Sequence, residues 1–280
     1  MNTKEEDPLF LSVLLSCISS LFVVVTITPG ALHPTLSCIF KCITFVGPAK
    51  ENQENSVRIL RRHGCALMVK IATRYPSTLV PVFDYLRQTI VEDLFIKTKI
   101  LHKMEFVTLI EGLVLISNEF QNFAAQSRFI EDLAKPICDQ LKNLEVHFPN
   151  FFLGLDSACQ ESRAELAFCL NFLAALFRRV SVPGDLLKCR HSGFIDTSVN
   201  EVLAIKSPAG NVGCHILETI LKLLKTFIGQ FGKSNAFEML DFEKSMVQGQ
   251  SNEDHSADPE KNNQNLKQGD LFESNFNPQS

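Results

Sequence analysis

The chain carries none of the short patterns that usually mark an active site. No G-x-x-x-x-G-K-[ST], G-x-G-x-x-G, G-x-S-x-G or H-E-x-x-H occurs, so phosphate-loop, dinucleotide, esterase-elbow and zinc-protease chemistry have no foothold. The seven His are scattered, and Asp and Glu fall mostly on helix faces, where solvation and i,i+4 pairing account for them. No carboxylate pair marks general acid and base work. The reading is of a protein that is not an enzyme and uses no cofactor. Asn-x-Ser/Thr sequons are also missing, and the nine Cys, an odd number, are spread through helical segments. Both facts favour reduced thiols of the cytosol or nucleus over a secreted disulfide framework. His33, Cys38 and Cys42 come nearest to a metal cluster, yet one Cys-x3-Cys without a second pair is weak, and apolar packing of cysteine on a helix is the plainer account.

Charge is scarce where it would be most informative. Basic residues number 27 against 31 acidic, and residues 231–280 hold four of the former and nine of the latter, so the body of the chain is nearly neutral. Net charge therefore gives no support for nucleic-acid binding, although a local basic strip would be invisible in the total. From Pro8 to Phe40 there is no Lys, Arg, Asp or Glu at all. Pro8 to Val25 alone nearly has the length to span a bilayer. Against insertion stand Ser12, Ser16, Ser19 and Ser20 within the run, and an acidic leader (Lys4, Glu5, Glu6, Asp7) where a signal peptide has a basic one. The preferred reading is a buried solenoid helix, covered on both sides and with no membrane insertion; a membrane anchor is the alternative.

What the chain does have is helical periodicity. Met104 to Ile137 reads as a long apolar helix, a polar break at Asn118 to Asn122, and a second amphipathic helix closed by Pro136. A pair that is apolar on more than one face needs another pair stacked against it. Helix starts are expected near Leu9, Ser56, Lys99 and Gln160, with partner helices near Ala31, Ser77, Asn122 and Val212. The first two spacings lie within the roughly 40–47 residues of HEAT and armadillo units; the third is longer. In the second unit Val57, Leu60, Gly64, Leu67, Met68 and Ile71 form the core stripe, Pro76 ends the helix after Tyr75, and Pro81 falls in the first turn of the partner. Residues 181–211 read as a long loop. The fold class is thus all-α, a partial HEAT-like solenoid over residues 7–249, followed by a disordered polar tail at 250–280.

Basic groups recur near helix ends: Arg58, Arg61, Arg62 and His63 in the second unit, Lys97, Lys99 and Lys103 leading into the third, and Arg178, Arg179, Lys188, Arg190 and His191 around the loop of the fourth. Arg58 and Arg62 are four apart and lie opposite the apolar stripe, so they point together at a partner surface. Stacked repeats would align such groups into a strip able to track a phosphate backbone. A generic HEAT scaffold that binds protein is the other reading of the same pattern.

The runs VRILRRHGCALMVKIATRYPSTLVPVFDYL (Val57 to Leu86), LIEGLVLISNEF (Leu109 to Phe120) and FIEDLAKPI (Phe129 to Ile137) resemble the middle of the exportin-5 family, karyopherins of the importin-beta superfamily. DPLFLSVLLSCISSLF, ILETILKLLKTFI and MLDFEKS continue the likeness in the same order. The resemblance implies a HEAT solenoid that, with Ran-GTP and nuclear pore proteins, shuttles between nucleus and cytoplasm and exports structured RNA with a 3′ overhang, such as pre-microRNA. It also implies that Arg62 and Arg163 line a basic tunnel receiving the overhang. Two tunnel positions depart from the family pattern: Ala66 replaces a small polar residue, and Lys103 replaces an amide side chain while keeping a donor. Repeats on either side of this segment are missing from the sequence. A stack cut in this way is expected to expose apolar end faces and to self-associate.

Overall fold

A computed structural model describes residues 7–28, 30–47, 54–144, 159–196 and 204–230. Two compact units are distinguished, Met1–Lys222 and Leu223–Ser280; the described part of the second is the end of one helix. The expected tail at 250–280 lies outside the described residues. The protein is an all-α helical-repeat structure, and among the described residues the only extended pairing is a short antiparallel bridge, Ile195–Asp196 against Ala204–Ile205.

In the first unit, helix α1 (Pro8–Ile27) begins where Asp7 accepts a hydrogen bond from the Leu9 amide at 2.9 Å and Pro8 supplies a pre-set first turn. Helix α2 (Leu32–Ile43) follows. Helix α3 (Glu54–Arg74) buries Leu60, Gly64, Leu67, Met68 and Ile71 of the predicted stripe, leaves Val57 half-buried at its start, and ends before Pro76. The partner helix is broken into α4 (Pro76–Leu79), a 3-10 turn at Val80–Val82 containing Pro81, α5 (Phe83–Arg87), and a π-helical stretch, Gln88–Lys97. The wide final turn is closed by the Thr98 amide donating to the Asp93 carbonyl, five residues back, at 3.0 Å.

Helices α6 (Lys103–Ser117) and α7 (Phe123–Asn143) are the pair read most directly from the sequence. Asn122 caps α7 by accepting from the Ala125 amide at 3.0 Å. Pro136 does not close this helix as expected; α7 runs through it to Asn143. Pro136 and Asp132 are both exposed, so the carbonyl that loses its partner meets water, while buried Leu133, Ile137, Cys138 and Leu141 hold the helix down on either side. Helix α8 (Gln160–Arg179) opens the fourth unit. The expected loop at 181–211 contains a short helix, α9 (Leu186–His191), and the two-residue bridge before α10 (Gly210–Gln230).

The first helices of successive units stack in order, α1 on α3, α3 on α6 and α6 on α8. The core is therefore a ladder rather than a ball, with Phe22 on Tyr75, Phe95 stacked on Phe106 at 3.7 Å, and Phe106 near Phe172. Close approach of α2 and α3 depends on Gly64, where a Cβ would meet Ile43 Cγ1 at 2.7 Å. One expectation is corrected here. Helix α1 is covered on one side only: Pro8, Leu15 and Phe22 are buried, whereas Leu9, Phe10, Val13, Leu21, Val24 and Ile27 are exposed. The reason is that α3 and α2 cover the arc holding Leu15 and Phe22, and no described helix lies against the opposite arc. By length and composition α1 is apolar enough to cross a membrane.

Candidate nucleic-acid interface

Three of the four predicted contact residues meet at one cavity. It has a volume of about 1060 Å3 and is lined by Arg58 and Arg62 from α3, Lys103 and Met104 from the start of α6, and Phe45 to Gly47 after α2. Arg58 and Arg62 lie one turn apart on α3, away from its buried stripe, and both are exposed. Ala66 continues the same exposed face one turn further on. Arg163 does not line this cavity; it is half-buried on α8, two residues before Glu165.

The lining holds four cations, Arg58, Arg61, Arg62 and Lys103, against two carboxylates, Glu54 and Glu105. They are not equivalent. Arg61, counted with the basic cluster from the sequence, is buried and serves the fold. Its Nε donates to Glu105 Oε1 at 2.9 Å, and its Nη2 to Glu105 Oε2 at 2.5 Å and to the Ile100 carbonyl at 2.7 Å. Glu105 Oε2 also accepts from the His102 amide at 3.0 Å, so one carboxylate caps α6 and joins it to α3. Arg58 reaches Glu54 at 3.2 Å in an exposed i,i+4 pair, which a phosphate can displace at little cost. Lys103 is held by Glu165 of α8, whose second oxygen accepts from Gln140 at 2.6 Å, and its ammonium also lies over the Phe168 ring. Arg62 makes no ion pair with any described residue and stands in the cavity as an open cation.

The other basic clusters are committed only in part: Arg178, Lys188 and Arg190 are exposed and make no ion pair with any described residue, whereas two other members are paired. Arg179 pairs with Glu111 at 2.8 Å and Lys97 with Asp93 at 2.8 Å. Basic groups of the second and third units line one cavity, and those of the fourth do not line it. His63 turns to the first unit, with its Nδ1 2.8 Å from Ser12 Oγ, and burial and then Lys70 hold its pKa below the ordinary value. Burial acts on two thiols of the ladder as well: burial, then the Glu105 charge, pushes Cys65 up to about 12, and burial, then Glu165, pushes Cys169 up to about 11. His33 packs edge-on against Tyr85, and among the described residues no group of three His, Cys, Asp or Glu could hold a metal ion.

The family model described as Exportin-5 matches residues 1–275. The chain belongs to the exportin-5 family. It is 30% identical to exportin-5 of Homo sapiens over 280 aligned residues, 31% to that of Mus musculus over 247, and 22% to that of Dictyostelium discoideum over 237. These alignments take in 89%, 81% and 79% of this chain but only 23%, 20% and 20% of the relatives, so the chain spans under a quarter of their length. The family is one of karyopherin-type export receptors, not an enzyme class.

Two functional contributors escaped the sequence reading. Glu105 and Glu165 set which cations remain available, and neither stands near its partner in the chain. Arg61 did carry a signal: it falls four after Val57 and three before Gly64, inside the apolar stripe, where a charge must find a partner.

Proposed function

We propose that this chain is a stretch of a HEAT-repeat export receptor that contacts structured RNA through phosphates, with Arg62, Arg58 and Lys103 at the contact and Arg163 on the neighbouring helix. In the whole receptor, acting with Ran-GTP and nuclear pore proteins, this surface takes part in carrying RNA with a 3′ overhang, such as pre-microRNA, from nucleus to cytoplasm. The observation that carries the reading is the exposed Arg62 guanidinium, without an ion-pair partner among the described residues, at a cavity of about 1060 Å3 that Arg58 and Lys103 also line. Phosphate contacts of this kind position a strand without reading its sequence. Membership of the exportin-5 family supports the export role.

The test measures binding of a hairpin RNA with a 3′ overhang, and of its blunt counterpart, to the chain and to Arg62→Ala combined with Arg163→Ala, at several salt concentrations. Affinity falls steeply with salt, and the slope becomes shallower by about one for each phosphate contact removed. If the double variant binds both RNAs as the parent does, the assignment is wrong. Salt-insensitive capture of a protein by the same face would favour the scaffold reading instead.

A further inference from the structure

Helix α8 ends in Arg178-Arg179, and the chain continues as Val180-Ser181-Val182-Pro183-Gly184. Val180 already has extended backbone angles, φ −64° and ψ 128°, and Pro183 keeps Val182 out of the helical region, so no helix resumes before Leu186. Side chains of α6 and α7 hold this run by its backbone. Asn118 donates to the Arg179 carbonyl at 2.9 Å and accepts from the Ser181 amide at 3.1 Å, and Gln126 donates to the Ser181 carbonyl at 3.4 Å. These bonds leave Ser181 exposed, on a cavity of about 430 Å3 that Ser207 and Pro208 also line. Arg178 is exposed too and makes no ion pair with any described residue, whereas Arg179 pairs with Glu111 at 2.8 Å. Of all the serines and threonines in the chain, Ser181 alone has an arginine both three and two residues before it.

We propose that Ser181 is a phosphorylation site for a protein kinase with an acidic substrate groove, which recognises it through Arg178 and Arg179. Kinases select substrates largely by charge pattern, and a guanidinium meets a carboxylate with two parallel hydrogen bonds. An extended segment is also the form in which a groove takes up a peptide. Recognition falls first on Arg178, which is unpaired among the described residues; Arg179 follows by exchanging Glu111 for a kinase carboxylate. In the reaction the Ser181 oxygen attacks the γ-phosphorus of ATP and the bond from that phosphorus to the β,γ-bridging oxygen breaks. ADP leaves, and the hydroxyl proton passes to a carboxylate of the kinase. The product carries about −1.5 to −2 charges at neutral pH. The cavity beside Ser181 gives the phosphoryl group room. Helix α9 is tied to the segment where Cys189 Sγ donates to the Pro183 carbonyl at 3.0 Å, and it carries the exposed cations Lys188 and Arg190. Modification therefore cancels much of the positive charge of the fourth unit.

The experiment incubates the full chain with magnesium ATP and the catalytic subunit of cyclic-AMP-dependent protein kinase, whose groove is acidic, and maps the incorporated phosphate by mass spectrometry. The expected result is phosphate on Ser181, at a rate comparable to that of a synthetic peptide covering residues 174–187. Ser181→Ala abolishes that incorporation and Ser181→Thr retains it. Arg178→Ala lowers kcat/KM by about tenfold or more, the worth of one charge-assisted contact. Both positions are exposed, and circular dichroism checks that each variant folds. The proposal is overturned by a peptide that is phosphorylated while the folded chain is not, since the motif is then present but not presented. It is overturned equally by incorporation that Ser181→Ala leaves at the parent level, by an Arg178→Ala variant modified as fast as the parent, or by equal modification of Ser181 by a kinase that selects acidic substrates.

Discussion

Replacing Glu105 with Ala isolates the contact on which the α3 to α6 step of the ladder depends. Both partners are nearly enclosed, with the Arg61 side chain 9% and the Glu105 side chain 7% exposed. Removing the carboxylate deletes two charge-assisted hydrogen bonds to the guanidinium and the acceptor for the His102 amide, and leaves Arg61 with the Ile100 carbonyl alone. Breaking a buried pair from one side costs about 3–5 kcal/mol, because the orphaned charge stays out of water. Against a domain stability of about 5–15 kcal/mol, that is a large fraction. Urea denaturation of the whole chain followed by circular dichroism measures it directly. The companion variant Arg61→Met with Glu105→Leu removes both charges and is expected to lose much less than the single change, since an apolar pair of similar volume avoids the desolvation penalty. A single variant within about 1 kcal/mol of the parent, or a double variant as unstable as the sum of the two singles, would refute the reasoning.

Gly64→Ala places a Cβ 2.7 Å from Ile43 Cγ1, with the Ile43 nitrogen and Ile39 carbonyl close behind. Overpacking of about 1–3 kcal/mol outweighs the roughly 1 kcal/mol gained in helix propensity, and the thermal midpoint falls. Glu165→Gln releases Lys103 toward the cavity. RNA binding is expected to tighten and its salt dependence to steepen by about one contact, while stability changes by less than about 1 kcal/mol because Lys103 is half exposed; unchanged RNA affinity would remove Lys103 from the contact. His63 supplies a pH dependence. Its pKa is lowered in the fold by burial and Lys70, so the unfolded chain takes up the proton first on acidification. Stability is full above the ordinary value of 6.5 and declines as pH falls through it to the lowered one. Denaturant midpoints of the parent should drop between about pH 7 and 5, and those of His63→Gln should drop less.

The paired helices, the stripe from Val57 to Ile71, the stop at Pro76 and the shared direction of Arg58 and Arg62 were all legible in the chain, because each follows from the 3.6-residue turn within one helix. Pro136 defeated the same local logic, since packing of Leu133, Ile137 and Leu141 outweighs one lost hydrogen bond on a solvent face. The order of core residues along a helix cannot say which cations remain open. Arg61 and Glu105 are 44 residues apart and Lys103 and Glu165 are 62 apart, so their pairing is set by the register in which whole helices stack. The exposure of α1 belongs to the same class: its sequence specifies an apolar helix, and only the position of α2 and α3 determines which arc is buried. Helical periodicity specifies the paired helices and puts Arg58 and Arg62 on an outward face; which charges are consumed between helices depends on how the helices stack, because electrostatic pairing acts through space between elements that the chain alone does not place.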